Sequence, residues 1–357
     1  MVDSAKTAYW LSVSADSLFP HYIVWLSGLC HALIPVHARD TIRTIATRPQ
    51  ETEMSKTLIY YSEKALAHDT GEFHPESPAR LQAALEAIHR SGLNLPFVEP
   101  EQASIEDICR IHTKEHVDTV QRCCLGKESY PDPDTVFMED TWEASLLAAG
   151  AGITACKAIL DGACDNAFVL MRPPGHHAEA DFSMGFCVFN NIAITGRWLR
   201  DVARVNRVAI FDFDVHHGNG TQHAFYDDDT VLFISLHEYP QFPGTGFPHE
   251  RGKSNTNLNI QMPPGCSPDQ WTNTVRGVVV PRLQLFAPDF LLISAGFDAH
   301  RLDPLGNQLL EAEHFAEMTQ LVREIAGGRI VSFLEGGYHP VALGQSLVAH
   351  LRELAAG

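Results

Sequence analysis

Residues 208–220 read Val-Ala-Ile-Phe-Asp-Phe-Asp-Val-His-His-Gly-Asn-Gly. Val208 to Phe211 is an apolar run with β-branched residues, which suits a buried strand. The chain then turns abruptly polar. Asp212, Asp214 and His216 fall on alternate residues. If the strand persists, its period of two puts all three on one face. Two carboxylates and an imidazole held that close repel and lose hydration unless a cation joins them. A divalent metal relieves the conflict, and this donor set suits zinc or a neighbouring first-row metal.

Working outward, short apolar runs recur at Leu58–Tyr61, Ala167–Met171, Val205–Phe211, Thr230–Leu236, Phe290–Ser294 and Ile330–Leu334. Helical patterns lie between them. One opens at Ser77-Pro78, with Ser77 as N-cap, and runs to about Arg90. Others cover Thr141 to about Leu160, residues 187–203, Pro268–Phe286, Glu311–Ala326 and Pro340–Leu354. This alternation predicts an α/β fold with a mostly parallel central sheet and helices on both faces. Pro96–Glu139 and Glu238–Gly265 read as long loops. Polar motifs follow several strands: R-P-P-G-H-H, D-F-D-V-H-H-G-N-G, S-L-H, A-G-F-D-A-H and E-G-G-Y. In open α/β sheets the site lies outside the carboxyl ends of the strands, which is where these fall.

Composition narrows the function classes. The chain has 357 residues, 45% hydrophobic and 20% charged, and a formal net charge of −18. That charge argues against sequence-independent binding to nucleic acid and is compatible with basic substrates. The cysteines, Cys30, Cys109, Cys123, Cys124, Cys156, Cys164, Cys187 and Cys266, form no C-x-x-C pair and read as reduced thiols of a cytoplasmic protein. Leu18–Val36 is apolar but interrupted by Pro20, His21, His31 and Pro35, too broken for a membrane span. Met54-Ser-Lys-Thr-Leu-Ile reads like a normal start, so residues 1–53 are expected to be a presequence or an over-extended start, with one catalytic domain over 54–357.

Asp298 follows an apolar strand and a glycine, and is the natural third ligand beside Asp214 and His216. Two carboxylates and one imidazole leave positions open for water and substrate, as a catalytic metal requires. His176 and His177 suit proton transfer, and each needs an acceptor on its other nitrogen. Asp212 and Asn219 are the candidates for that role. Tyr338, aimed by Gly336-Gly337, is placed to hydrogen-bond a carbonyl oxygen as it gains charge. Together these groups equip the chain to hydrolyse an amide without a covalent intermediate. No G-x-S-x-G elbow, P-loop or dinucleotide fingerprint competes, and Gly244-Thr-Gly is only a loop glycine pair.

From about Leu58 onward the chain resembles the zinc-dependent histone deacetylases. R-P-P-G-H-H-A, G-F-C-V-F-N-N, D-x-D-x-H-H-G-N-G-T-Q, S-L-H, F-P-G-T-G, S-A-G-F-D-A-H-x-x-D-P-L-G and L-E-G-G-Y occur in the family's order. The first and third are closer to class II members and bacterial relatives than to class I. The resemblance implies a three-layer αβα, arginase-like fold. It implies Asp214, His216 and Asp298 as zinc ligands, His176 and His177 as the proton-transfer pair, and Tyr338 as donor to the substrate carbonyl. Phe186, beside Gly185, and Phe242 would wall an acyl-lysine tunnel, and Arg80 and Arg172 would line an inner cavity for released acetate. It also implies structural potassium, at Asp212, Asp214, His216, Ser235 and Leu236, with a second site at Phe225, Asp228, Val231 and Thr256. Ferrous iron in place of zinc stays open. Position 219 is Asn where class I members have Asp, which predicts a less basic His177.

Acetylpolyamine amidohydrolases share these motifs. Polyamine-selective members tend to place an acidic gatekeeper where this chain has Leu305, and an apolar residue favours an acetyl-lysine peptide or protein. Glu139 and Asp140 keep an acetylated polyamine open as the alternative substrate. A third reading, an inactive module that binds acylated lysine, sits poorly with the presence of Tyr338 and both histidines.

Overall fold

The structure, a computed structural model, describes residues 56–356. The expectations for residues 1–53, including Cys30, lie outside the described residues. Among the described residues, eight parallel strands form one sheet in the order β2-β1-β3-β8-β7-β4-β5-β6. They are β1 (Thr57–Tyr60), β2 (Phe97–Val98), β3 (Asn166–Val169), β4 (Val208–Asp212), β5 (Val231–Glu238), β6 (Asn257–Met262), β7 (Phe290–Ala295) and β8 (Ile330–Leu334). Six match the apolar runs read from sequence. The central ones are buried throughout, as a sheet covered on both faces requires.

The helices are α1 (Pro78–Ser91), α2 (Ile105–Ile108), α3 (Lys114–Cys124), α4 (Glu139–Leu160), α5 (Asn191–Asp201), α6 (Asn219–Phe225), α7 (Pro268–Thr274), α8 (Val280–Phe286), α9 (Ala312–Val322) and α10 (Pro340–Ala355). α10 packs against both α1 and α9, while α4 packs against α3 and α5. α4 is long and apolar enough to cross a membrane, but most of its apolar stretch is buried in the protein, so it is a core helix.

The two segments read as loops are only partly so. Pro96–Glu139 contains β2, α2 and α3, and Glu238–Gly265 contains β6. The strand β6 is an edge strand, and its buried face carries Asn257 and Asn259 rather than aliphatics. Two helical readings also shift. Residues 187–190 precede α5, and Pro268–Phe286 divides into α7, a π-helical turn and α8. Ser77 has N-cap backbone geometry, but its side chain makes no capping bond.

The register places the chemistry. Asp212, the last residue of β4, lies beside Ser235 on β5 and Ser294 on β7. His176 and His177 follow β3, Asp298 follows β7, and Tyr338 follows β8, all past the carboxyl ends of their strands. Beneath that edge, Phe213 packs against Phe211, Phe297 and Phe315 in a dry aromatic floor.

Candidate active site

Asp212, Asp214 and His216 do not share one face of a strand, because β4 ends at Asp212. Side chains folding back onto the backbone bring them together instead. Asp212 Oδ1 accepts the Asp214 N–H at 3.1 Å, and Asp214 Oδ1 accepts the His216 N–H at 2.9 Å. These are Asx-type turns, in which a carboxylate caps the amide two residues on. Asp298 Oδ1 ties in β7 by accepting the Val215 N–H at 2.9 Å. Ligand atoms of Asp214, His216 and Asp298 all lie within 4.8 Å of one another, and all three residues are buried. The glycines around them are required by space. A Cβ on Gly296 would sit 2.0 Å from Asp214 Oδ2, and one on Gly336 would sit 1.9 Å from Asp298 Oδ2.

This trio fits a divalent metal. His216 Nδ1 lies 3.0 Å from Asp214 Oδ1 and 3.2 Å from Asp298 Oδ2, so three donor atoms converge on one point. Among the described residues no lysine or arginine pairs with either carboxylate. Burial disfavours charge on His216, yet the two carboxylates outweigh it and push the imidazole up to about 10. Burial and the Asp214 charge push Asp298 up to about 7. The imidazole proton is thus held where a cation would be held.

Asp212 faces another partner, with His176 Nδ1 3.0 Å from its Oδ2. Burial disfavours charge on His176, but Asp214 and Asp212 overcome it and raise the ring to about 10. His177 Nδ1 lies 2.8 Å from Asn219 Oδ1. Burial and the neighbouring His176 and His216 hold His177 well below its ordinary value, so it is neutral. The two imidazoles, 3.9 Å apart between ring centres, therefore sit in opposite protonation states. His217 belongs to neither role. Its ring nitrogens are taken by Thr245 Oγ1 at 2.8 Å and Gln222 Oε1 at 3.0 Å.

His177, His216 and Tyr338 line one cavity of about 290 Å³, whose walls include Phe186, Phe242 and Leu305. Phe242 meets His177 edge-on at 5.0 Å, and Phe186 meets Tyr338 at 5.7 Å. Gly185 is obligatory, with φ +57° and a virtual Cβ 2.6 Å from the His177 ring. Burial keeps the Tyr338 phenol well above its ordinary value and so protonated. Asp132 and Asp134 also line the cavity, whereas Glu139 and Asp140 do not and form the exposed first turn of α4. Asp132 caps its own turn through Thr135 Oγ1 at 2.6 Å.

Arg80 and Arg172 are buried and outside that cavity. Every N–H of Arg172 is engaged, by the Glu76 carboxylate, Glu76 O, Ala65 O and His68 O, which leaves it no donor for a released anion. Arg80 bonds Gly337 O at 2.7 Å, Glu335 O and Glu76 Oε1, and its guanidinium lies 4.8 Å from the centre of the Tyr338 ring. Of the residues named for potassium, Ser235 and Leu236 lie on β5, with Ser235 in register with Asp212. Asp228 joins two others of the second set, donating its N–H to Phe225 O at 3.0 Å and accepting from Thr256 Oγ1 at 3.2 Å. Val231 opens β5.

Several residues around the site escaped the sequence reading. Glu76 sits four residues before Arg80, the spacing of a helical ion pair. Glu335 and Asp303 sit inside quoted motifs, and both hold backbone. Glu335 Oε2 accepts from Gly175 and His176 at 2.7 and 3.2 Å, and Asp303 Oδ2 accepts from Tyr338 and His339. Glu335, His176 and Cys187 form a second group with metal-like spacing. Burial holds the Cys187 thiol well above its ordinary value, and Glu335 Oε2 is committed to backbone amides, so the group reads as structural.

Residues 74–354 match the family described as "Histone deacetylase domain". The chain is 39% identical to a protein of Archaeoglobus fulgidus named "Probable deacetylase", over 79% of this chain and 81% of that one. It is 36% identical to "Histone deacetylase 10, chloroplastic" of rice (Oryza sativa subsp. japonica), over 83% of this chain and 72% of that one. Among solved structures it superposes on the HD domain of HDA15 with a TM-score of 0.80 and 35% identity, covering 84% of this chain and 88% of that one. With its parallel sheet and the site at its carboxyl edge, the chain belongs to the histone deacetylase family, hydrolases that act on amide bonds.

Proposed function

We propose that this chain is a zinc-dependent deacylase that removes acetyl groups from lysine side chains of peptides or proteins. The observation that carries the reading is the single cavity onto which neutral His177, His216 and protonated Tyr338 all open. Asp214, His216 and Asp298 would hold the zinc, which supplies Lewis acidity to polarise the acetyl carbonyl and acidify water. His177 keeps its proton on Nδ1, facing Asn219 Oδ1, and so offers a bare Nε2 to the proton of the attacking water. The same Nε2 then returns that proton to the departing lysine amine. His176, charged and held by Asp212, fixes the pair and keeps positive charge beneath it. The Tyr338 hydroxyl donates to the carbonyl oxygen as it gains negative charge. Phe186 and Phe242 exclude water along an alkyl chain, and Leu305 offers no partner to a distal ammonium.

One observation favours a second reading. Asp134, exposed at the rim of the cavity, gives an acetylated polyamine a charge partner that Leu305 does not. The discriminating experiment is a side-by-side rate panel of the zinc-loaded protein on acetyl-lysine peptide, trifluoroacetyl-lysine peptide and acetylputrescine. The lysine reading requires the peptides to be turned over faster, and a much higher rate on acetylputrescine would overturn it. A structural potassium ion beside the Asp212–Ser235 pair and a cytoplasmic location complete the proposal. The latter is supported by the buried free thiols of Cys156 and Cys187.

A further inference from the structure

The neutral amide of Asn219 is backed by a carboxylate. Asn219 Nδ2 donates to Glu179 Oε1 at 2.5 Å and to His177 O at 3.2 Å, which fixes the amide with Oδ1 toward His177 Nδ1 at 2.8 Å. On its outer side Glu179 meets His223, whose Nδ1 lies 2.9 Å from both carboxylate oxygens. His223 is exposed, Glu179 is largely covered, and Asn219 and His177 are buried. One file of side chains thus runs from the cavity to solvent: His177, Asn219, Glu179, His223. The backbone of Glu179 is pinned too, its N–H bonded to Phe182 O at 2.8 Å and its carbonyl accepting from His112 Nδ1 at 2.8 Å.

We propose that Glu179 is a positioning residue that supplies, through Asn219, the negative charge His177 needs when it takes up a proton. This inference rests on the base role given to His177 above. An amide whose N–H donates to an anion carries more negative charge on its oxygen, because hydrogen bonds in series polarise one another. Glu179 therefore strengthens the Asn219–His177 bond and locks the ring in the tautomer with Nδ1 protonated. The lower basicity expected of a His177 facing only a neutral amide is offset by an anion one group further out.

The test moves the charge along the file. Wild type, Glu179→Gln, Asn219→Asp and the double variant are compared as zinc-loaded full chains, on whichever of acetyl-lysine peptide or acetylputrescine the wild type hydrolyses. Glu179→Gln should lose about tenfold to a hundredfold in kcat, the range typical of outer-shell partners, with KM and zinc content little changed. Asn219→Asp should also lose activity, because it sets two carboxylates against each other at a 2.5 Å contact. The double variant, with one carboxylate again and now next to the base, should exceed both singles. Additive losses, or wild-type turnover by Glu179→Gln, would overturn the proposal. Should Glu179→Gln not fold, Asn219→Asp and the double variant decide alone, since the double must be the faster. The His177 ring gives a readout independent of turnover. Histidine ¹⁵N spectra should report the Nδ1-protonated tautomer in wild type and double variant, and a mixture in Glu179→Gln. A wild type inactive on both substrates with this tautomer pattern intact would sink the proposed function and not the relay. An unchanged tautomer in Glu179→Gln would sink the relay alone.

Discussion

The Tyr338 N–H donates to Asp303 Oδ2 at 2.6 Å, and the His339 N–H reaches the same oxygen at 3.3 Å. Asp303 is buried, so this one carboxylate anchors the turn that presents the phenol to the cavity. Tyr338→Phe should lower kcat about a hundredfold or more, the usual effect of removing one donor to a developing oxyanion, with metal content unchanged. Asp303→Ala should lower kcat by a smaller factor, since the phenol remains but loses its anchor. Steady-state rates with metal analysis on both variants check this, and wild-type turnover by Tyr338→Phe would remove its assigned role.

Metal retention should depend on Asp298 and on the glycine beside it. Asp298→Ala should lower zinc content measured by mass spectrometry, and full occupancy would break the ligand assignment. Gly336→Ala removes no ligand, yet its Cβ would meet Asp298 Oδ2 at 1.9 Å and Asp214 Oδ2 at 2.6 Å. It should lower zinc content as well.

Glu76 links stability to acid pH. Burial opposes its ionisation, but Arg172 and Arg80 outweigh burial and hold its carboxyl at about 2, below the ordinary 4.5. A depressed carboxyl stabilises the fold above its unfolded pKa and loses that contribution as pH falls. The loss should therefore run from about pH 4.5 down towards 2. Glu76→Gln leaves two buried guanidinium groups short of their anion and should cost about 3–5 kcal/mol near neutral pH. Its melting temperature should also fall less steeply across that acid window. An equally steep acid limb in the variant would contradict the pairing.

Leu305 should set substrate choice at the rim. Leu305→Glu adds a carboxylate to a cavity edge that already carries Asp134, and should raise kcat/KM on acetylputrescine relative to acetyl-lysine peptide. A partly exposed charge pair supports a change of about twofold to fivefold. An unchanged ratio would mean that residue 305 does not meet the distal ammonium.

Much of the fold is legible in the sequence. The buried parallel strands are continuous apolar runs, and Asp214, His216, Asp298 and His176 are polar interruptions just past their ends, whereas Gly336-Gly337-Tyr338 is by itself a weak signal. What was not legible depends on contacts across long sequence gaps. Glu76 closes a buried ion cluster with Arg172, 96 residues away, and only the structure uses up every donor of that arginine. The strand β6 reads as loop because Asn257 and Asn259 occupy its buried face, so the apolar alternation that marks a strand points the wrong way. The alternate spacing of Asp212, Asp214 and His216 predicts one strand face, but Asp212 turns to His176 while Asp214 and His216 meet Asp298. Asx turns, and not a pleated strand, gather them.

The central claim is that a metal held by Asp214, His216 and Asp298 is needed for amide hydrolysis. Its most direct test is hydrolysis of an acetyl-lysine peptide by the full chain, stripped by a chelator, dialysed and titrated with zinc. Activity should vanish on stripping and return in proportion to zinc, saturating near one equivalent, and Asp298→Ala should not recover. Undiminished hydrolysis by the metal-free protein would contradict the account.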